Sequence, residues 1–259
     1  MYKGIKDLKC RHSVDRRMIA DCIRNYKHFS FNENSIVLDL GCNIGGIQYW
    51  LKDAPIKQYI GFDAFEDNIE FYRENNLPNK TNYEIFHGAV TVDDGDTHSF
   101  WIYEDDKLGS SNGQANPTKP GVGKRKIELK VPNFNIDTLI EKYKPTHLKM
   151  DIKGTEMLWM KKHKGKLPDC VQEFFAEIYG HHPSEFYDTH YWPVQNNQGF
   201  DLTFMYPTER FKNMGGWYNL PNLGRPNINA ALFDLNVLLS RKKLSTAASY
   251  EGYDNRNYG

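Results

Sequence analysis

Several features that would narrow the function of a protein are scarce in this chain. Its 259 residues include only four cysteines, at positions 10, 22, 42 and 170. No two of them form a C-x-x-C pair, which argues against a zinc ribbon or a thioredoxin-like site. Four scattered cysteines in a chain of this length are typical of reduced thiols and not of a disulfide framework. We therefore expect a cytoplasmic protein.

Long apolar runs and an excess of charge are missing as well. Residues 1–17 are polar and charged and lack the apolar stretch of a signal peptide, and no apolar run has the length needed to cross a bilayer. Basic and acidic residues balance at 33 each. Without a global positive field, nucleic acid is not expected as a partner, and neither is a membrane.

Short apolar segments alternate with segments of helical periodicity, which is typical of a parallel sheet covered by helices. The sequence predicts an α/β fold with a doubly wound, mostly parallel, Rossmann-like sheet and an antiparallel strand pair at its C-terminal end. We expect a helical extension over 1–34, the main domain over 35–243 and a polar, disordered tail over 244–259. Predicted strands are 35–41, 58–63, 82–87, 98–103, 126–131, 147–151, 170–179, 200–206 and 231–240, and predicted helices are 13–28, 45–52, 66–75, 137–143, 154–162 and 184–192.

The strongest motif is a strand, a glycine turn and a helix over residues 37–46, which read VLDLGCNIGG. Glycine is needed where the backbone turns sharply close to a ligand. A dinucleotide site has G-x-G-x-x-G, but here Asn43 stands at the middle glycine, which counts against NAD or FAD. Asp63 ends the next strand, 22 residues after Gly41, and is placed to accept hydrogen bonds from a ribose; a plain helix cap is the alternative.

Two segments are similar to the FkbM family of class I methyltransferases. One is Leu38–Gly45, whose D-x-G-x-N-x-G pattern resembles the first motif of that class, and the other combines Ile136–Leu139 with Leu148–Glu156. Lys153 stands where the family usually has glutamate. The resemblance, over about residues 36–180, implies S-adenosyl-L-methionine as cofactor and O-methylation of a hydroxyl, with a small-molecule or glycan acceptor such as a sugar or natural product.

For that cofactor we predict contacts along the carboxyl ends of the first three strands. Asp39 suits the ammonium of the methionine part, and Asp63 suits the ribose. Near the turn and the adenine, the remaining predicted contacts are Gly41, Asn43, Gly45, Ala64, Gly88 and Ala89.

The end of the fourth core strand carries the candidate catalytic groups. Lys149 and Asp151 share one face of that strand and could compensate each other's charge, either as a structural ion pair or at the reaction centre. Asp151 is the first candidate for a base that accepts the acceptor's proton, and Lys149 is the second. Glu156, one turn into the next helix, could orient either of them.

A second group of titratable residues follows the fifth strand: Glu177, His181, His182 and His190. His181 could be the base, because histidine titrates near neutral pH. The spacing matches no specific metal pattern, so no metal is expected. The acceptor cleft is predicted beneath 108–124, 181–192 and 207–225, where Trp192, Trp217 and Tyr218 could stack on sugar rings.

Two other functions stay open. A nucleic-acid methyltransferase acting on RNA ribose would need a basic stripe beside the cleft, for which the clusters at 119–126 and 161–166 are candidates. A non-catalytic module that binds the cofactor is the third alternative.

Overall fold

The computed structural model describes residues 9–10, 15–16, 19, 29–51, 54–75, 82–103, 126–152, 154–164, 166–181, 200–207 and 233–241. The predictions for 104–125, 182–199, 208–232 and 242–259 lie outside these residues, as does most of the predicted helix 13–28. Among the described residues, no helix combines the length and the apolarity that a bilayer crossing requires.

Ten strands and four helices are described. The strands are β1 Ile36–Leu40, β2 Gln58–Asp63, β3 Tyr83–His87, β4 Ala89–Thr91, β5 Thr97–Tyr103, β6 Lys126–Asn135, β7 His147–Met150, β8 Glu173–His181, β9 Phe200–Pro207 and β10 Phe233–Arg241. The helices are α1 Gly46–Trp50, α2 Glu66–Glu74, α3 Ile136–Tyr143 and α4 Thr155–Lys162.

Seven strands form the main sheet, in the order β3-β2-β1-β7-β8-β10-β9. All run parallel except β10, which pairs antiparallel with both β8 and β9. This confirms the predicted doubly wound sheet and its antiparallel C-terminal pair. The strand order reverses between β1 and β7, the point at which open α/β sheets bind ligands. Dinucleotide-binding sheets have the strand order 3-2-1-4-5-6. They have no antiparallel strand like β10, which lies here between β8 and β9.

The core consists of two apolar layers, one on each face of this sheet. Because side chains alternate along a strand, Leu38 and Leu40 pack against α3 and α4, whereas Val37 packs on the opposite face with α1 and α2. Phe29 and Phe31, ahead of β1, belong to the second layer. The predicted helical extension therefore contributes to the core directly through its last residues.

Three further strands form a second, small sheet of order β4-β6-β5. Ala89 is in register with Asn133 where β4 and β6 pair in parallel, and the part of β6 from Lys126 to Pro132 pairs antiparallel with β5. We call β5 and β6 together the ribbon. Its inner side, with Phe100 and Val131, packs on Ala64 and Phe65, just after β2.

Several strand predictions needed correction. The strand predicted at 126–131 continues to Asn135. Three-residue β4 was missed, because so short a segment shows no periodicity. The strand predicted at 170–179 begins instead at Glu173, since residues 168–171 form a turn in which Val171 N donates to Pro168 O.

Part of the segment that resembles the FkbM family joins two helices. Asn135 caps α3 by accepting from the amides of Asp137 and Thr138. Asp137 in turn accepts from Trp159 Nε1 at 2.7 Å and pairs with Lys162 at 2.9 Å, both on α4. Asp137 thus fixes α3 against α4.

The basic cluster at 161–166 lies at the far end of α4. That helix begins after the carboxyl end of β7, and the chain after it leads to the start of β8, where Gln172 N donates to Thr146 O. The cluster is therefore at the amino edge of the sheet and not beside the cleft. Its partner cluster at 119–126 lies outside the described residues except for Lys126, which starts β6.

His147, at the start of β7, is buried in a neutral form. Its Nε2 donates to the Ser30 carbonyl and its Nδ1 accepts from the Thr146 hydroxyl, each at 2.8 Å. The ring stacks on Phe31 with centroids 4.8 Å apart, and Glu173 Oε2 lies 3.5 Å from Nε2. Burial lowers the pKa of His147 to about 4.

We predict a pH-dependent loss of stability from this residue. Unfolded His147 takes up a proton near its ordinary pKa of 6.5, whereas the folded form resists protonation down to about 4. The free energy of unfolding therefore contains the full contribution of neutral His147 above about pH 6.5. That contribution declines as pH falls, by about 2 kcal/mol between about pH 7 and about pH 5. Urea unfolding of the wild type and of His147→Gln, which keeps a donor for Ser30 but does not titrate, measures it. Equal slopes in the two proteins would contradict the assignment.

Candidate functional site

The candidate site lies at the carboxyl edge, where β1 and β7 end side by side. The turn at Gly41 follows β1 and Asp151 follows β7, and Asp151 N donates to Leu40 O at 3.0 Å. This is the point at which the strand order reverses, so the structure brings the glycine motif to the expected ligand position.

Gly41 is required by close packing. Its φ of 82° is left-handed, and a Cβ on it would lie 2.1 Å from the carbonyl oxygen of Asp151. No side chain fits there, so the two chain turns can approach only with glycine at this position.

The amides of the glycine turn are all used within the protein. Gly41 N and Cys42 N both donate to Phe62 O, each at 2.9 Å, and Gly45 N donates to Cys42 O at 3.0 Å. The other two amides meet side chains: Asn43 N donates to Asp63 Oδ2 at 2.9 Å, and Ile44 N donates to Asn43 Oδ1 at 2.6 Å. The turn from Gly41 to Gly45 thus has no amide left to donate to a phosphate.

Asp63 is held in one orientation by three donors. Its Oδ1 accepts from Phe65 N and Asn68 Nδ2, and its Oδ2 accepts from Asn43 N, all at 2.9 Å. Phe65 is itself the N-cap residue of α2, which has no side-chain cap bond, so Asp63 does not cap this helix. Its Oδ2 keeps a second lone pair that a ribose hydroxyl could use. Burial raises the pKa of Asp63, while these hydrogen bonds oppose the rise. The asparagine five residues after the acid is thus a direct partner of the carboxylate.

Asp39 and Lys149 do not lie where the sequence analysis expected. Lys149 Nζ forms an ion pair with Asp39 Oδ1 at 3.0 Å, and the two side chains are 4% and 0% exposed. Tyr59 donates to Asp39 Oδ2 at 2.6 Å, and Lys149 donates to the Gly41 carbonyl. Asp39 is therefore too enclosed to meet a ligand ammonium, and Lys149 is held as a charged partner and not as a base.

Glu156 and Asp151 differ in their surroundings. Glu156 is fully buried and its Oε2 accepts from Gly154 N at 2.6 Å, so it stabilises the start of α4. Asp151 is half-buried at the sheet edge, next to Gly41. Of the candidate catalytic residues whose side chains are described, Asp151 alone combines the carboxyl edge with partial exposure.

The residues predicted near an adenine separate into two groups. Gly88 N donates to Asp63 O at 2.8 Å, and His87 Nε2 donates to the carbonyl of half-buried Ala64 at 3.2 Å. These bonds hold the backbone of Ala64 and Gly88 at the carboxyl edge of the sheet. Ala89 is 1% exposed and packs in the cluster of Phe100 and Val131. Its side chain is therefore unavailable to a ligand, because the ribbon covers it.

The second predicted group is only partly described. His181 ends β8 and its backbone pairs with Phe233. The side chain of His181 lies outside the described residues, as do Lys153, His182, His190, Trp192, Trp217 and Tyr218. Within the described part of the chain, no cluster of three or more histidine, cysteine, aspartate or glutamate side chains is arranged to hold a metal ion.

Comparison with known proteins gave matches among solved structures alone. No family model and no curated protein sequence matches the chain, so membership of the FkbM family is not shown. TrmK of M. capricolum with S-adenosyl-homocysteine is 6% identical, covering 90% of this chain and 70% of that one with a TM-score of 0.41. A candidate RNA methyltransferase of Pyrococcus horikoshii is 11% identical, with coverage of 91% and 89% and a TM-score of 0.43. A candidate tRNA (m1A22) methyltransferase of Streptococcus pneumoniae with S-adenosyl-L-methionine is 12% identical, with coverage of 88% and 72% and a TM-score of 0.40.

At these TM-scores the likeness carries no argument for the activity of this chain, and its fold class rests on its own strand order. Several of the similar structures are named for RNA methylation, against the expectation from the sequence that nucleic acid is not a partner. That expectation is withdrawn. It rested on a net charge of zero, which sums over the whole surface and does not measure a local patch.

We predict that Gly41→Ala destabilises the protein more than Gly154→Ala does. Both glycines have a left-handed φ, of 82° and 109°, but a Cβ at Gly154 would meet nothing within 4 Å. The excess should be about 1–3 kcal/mol, the cost of relieving the clash with the Asp151 carbonyl. Equal unfolding free energies in urea would show that the close approach is unimportant.

Proposed function

We propose that this chain is an S-adenosylmethionine-dependent methyltransferase that binds its cofactor across the Gly41 turn and Asp63. One observation carries the proposal: the five amides from Gly41 to Gly45 are all satisfied internally, beside a fixed carboxylate. Dinucleotides need free amides at this turn for their pyrophosphate. A nucleoside without phosphate needs none.

The charges at the edge favour the same ligand. Asp63 ends β2 and half-buried Asp151 follows β7, both at this edge, while the buried pair of Asp39 and Lys149 is neutral as a unit. Carboxylates attract a cation and repel a phosphate. A sulfonium nucleoside with an ammonium group and a ribose diol matches both properties.

We assign the parts of the cofactor accordingly. Asp63 Oδ2 accepts from the ribose, the turn with Gly41, Asn43 and Gly45 lies along the amino-acid end, and the backbone of Ala64 and Gly88 borders the adenine. These residues fit because Asp63 retains a lone pair and because the glycine turn lets the ligand approach the backbone closely.

Asp151 is the proposed proton acceptor. When bound, the cofactor supplies an electrophilic methyl group on a sulfonium. Asp151 would accept the proton that the acceptor atom gives up on methylation. A base contributes about 10²–10⁴-fold, and holding the two reactants in line contributes up to about 7–11 kcal/mol.

For the acceptor we propose RNA as the class to test first, since several structures similar in fold are named for RNA methylation. O-methylation of a sugar hydroxyl is the second class, on the strength of the FkbM-like segments at 136–139 and 148–156. Transfer of labelled methyl groups from S-adenosylmethionine to total RNA and to an oligosaccharide mixture separates the two. Binding without transfer to either would favour the non-catalytic alternative.

The cofactor assignment predicts a selective loss on Asp63→Ala. The wild type should show a clear thermal shift with S-adenosylmethionine and S-adenosylhomocysteine and none with NAD. Asp63→Ala should lose most of that shift, because the ribose loses its acceptor. Asp67→Ala, an exposed carboxylate on α2, is the matched control and should behave like the wild type. Circular dichroism confirms folding, and normal binding by a folded Asp63→Ala would refute the ribose assignment.

The catalytic assignment predicts that Asp151→Asn binds S-adenosylhomocysteine normally but loses turnover by about 10²-fold or more. The side chain keeps its size and loses only its basicity. Exposed Asp169→Asn provides the control for adding an amide. Full activity in Asp151→Asn would remove Asp151 as the base.

A further inference from the structure

Asn43 holds an unusual position in the glycine turn. Its φ of 51° is left-handed, a conformation that asparagine and glycine tolerate better than other residues. Its backbone N–H donates to Asp63, and its own side-chain oxygen accepts from the next amide, Ile44 N, at 2.6 Å. One residue thus satisfies two of the five amides of the turn.

The two bonds have different consequences for ligand choice. The bond from Asn43 N to Asp63 is a backbone interaction that any residue other than proline could make. The bond to Ile44 N depends on the side chain, and it covers an amide of the glycine turn, where dinucleotide-binding turns bring the backbone close to the pyrophosphate. Without that side chain, Ile44 N would be left without its acceptor.

We propose that Asn43 is a specificity-determining residue that excludes phosphate-bearing nucleotides by covering the Ile44 amide. The proposal rests on the proposed function for the identity of the accepted ligand, but the exclusion concerns phosphate alone. Glycine at this position would restore G-x-G-x-x-G, with glycines at 41, 43 and 46, and would uncover one donor at the turn.

Two substitutions separate the covering bond from other effects. Asn43→Gly accepts the left-handed φ without strain and keeps the backbone donor to Asp63, but it frees Ile44 N. Asn43→Asp keeps a side-chain oxygen for Ile44 N and also tolerates this φ. The carboxylates of Asp63 and Asp151 are present in both variants, but Asn43→Asp adds a carboxylate that itself repels phosphate. Asn43→Gly leaves the net charge of the wild type unchanged and therefore carries the test, whereas a gain in Asn43→Asp would arise despite the added charge.

Calorimetric titration with ADP-ribose, NAD and S-adenosylhomocysteine tests the proposal on the full chain. Asn43→Gly should bind ADP-ribose at least about tenfold more tightly than the wild type, since a charge-assisted hydrogen bond to phosphate becomes possible. Asn43→Asp should show no gain. S-adenosylhomocysteine is titrated into all three proteins as well, and the wild type should bind it. The ratio of the two ligand affinities in each protein then measures the change in specificity. If Asn43→Gly does not fold, Asn43→Ala removes the same acceptor and should show the same gain.

Each outcome decides a separate question. A folded Asn43→Gly without gain for ADP-ribose overturns the proposal, and so does an equal gain in Asn43→Asp, because the covering bond survives there. Failure of the wild type to bind S-adenosylhomocysteine overturns the proposed function instead. The ADP-ribose comparison between variants would still measure the exclusion of phosphate in that case.

Discussion

The structure of the site depends on the contact between Gly41 and the carbonyl of Asp151. At a hypothetical Cβ-to-oxygen distance of 2.1 Å, only a glycine allows the turn after β1 to lie against the chain leaving β7. That contact fixes both sides of the point where the strand order reverses. It holds Asp151, which directly follows β7, against the glycine turn at the carboxyl edge.

The buried ion pair of Asp39 and Lys149 supports the same turn. Asp39 on β1 and Lys149 on β7 are neighbours in the parallel register, and Tyr59 from β2 bonds to the same carboxylate. The network therefore ties three adjacent strands, and Lys149 extends it to the Gly41 carbonyl. A buried pair of this kind adds little net stability, but removal of one partner leaves an uncompensated charge. Its value lies in fixing where the turn carbonyl sits.

Periodicity predicted the fold well where an element was long or buried on both faces. Strand β2 was placed at 58–63 as observed, because a short apolar run between polar residues is typical of a buried strand. The role of Asp39 was misjudged, since a carboxylate at a strand end looks alike in sequence whether it points to solvent or to a buried lysine 110 residues away. Only the register of β1 against β7 distinguishes the two. The sequence shows that Asn43 stands where a dinucleotide site has glycine. Its bond to Ile44 N depends on the left-handed backbone at Asn43, which only the structure shows.

The charge distribution also constrains how such a site can accelerate methyl transfer. A sulfonium loses its positive charge as the methyl group leaves, so carboxylates beside it stabilise the bound reactant at least as much as the transition state. Only interactions that strengthen in the transition state raise the rate. An acidic edge therefore serves recognition, and acceleration has to come from the alignment of the acceptor with the methyl group and from removal of its proton. The rigid supports of the turn, a glycine contact and a buried ion pair, suit the positional accuracy that the proposed methyl transfer would demand.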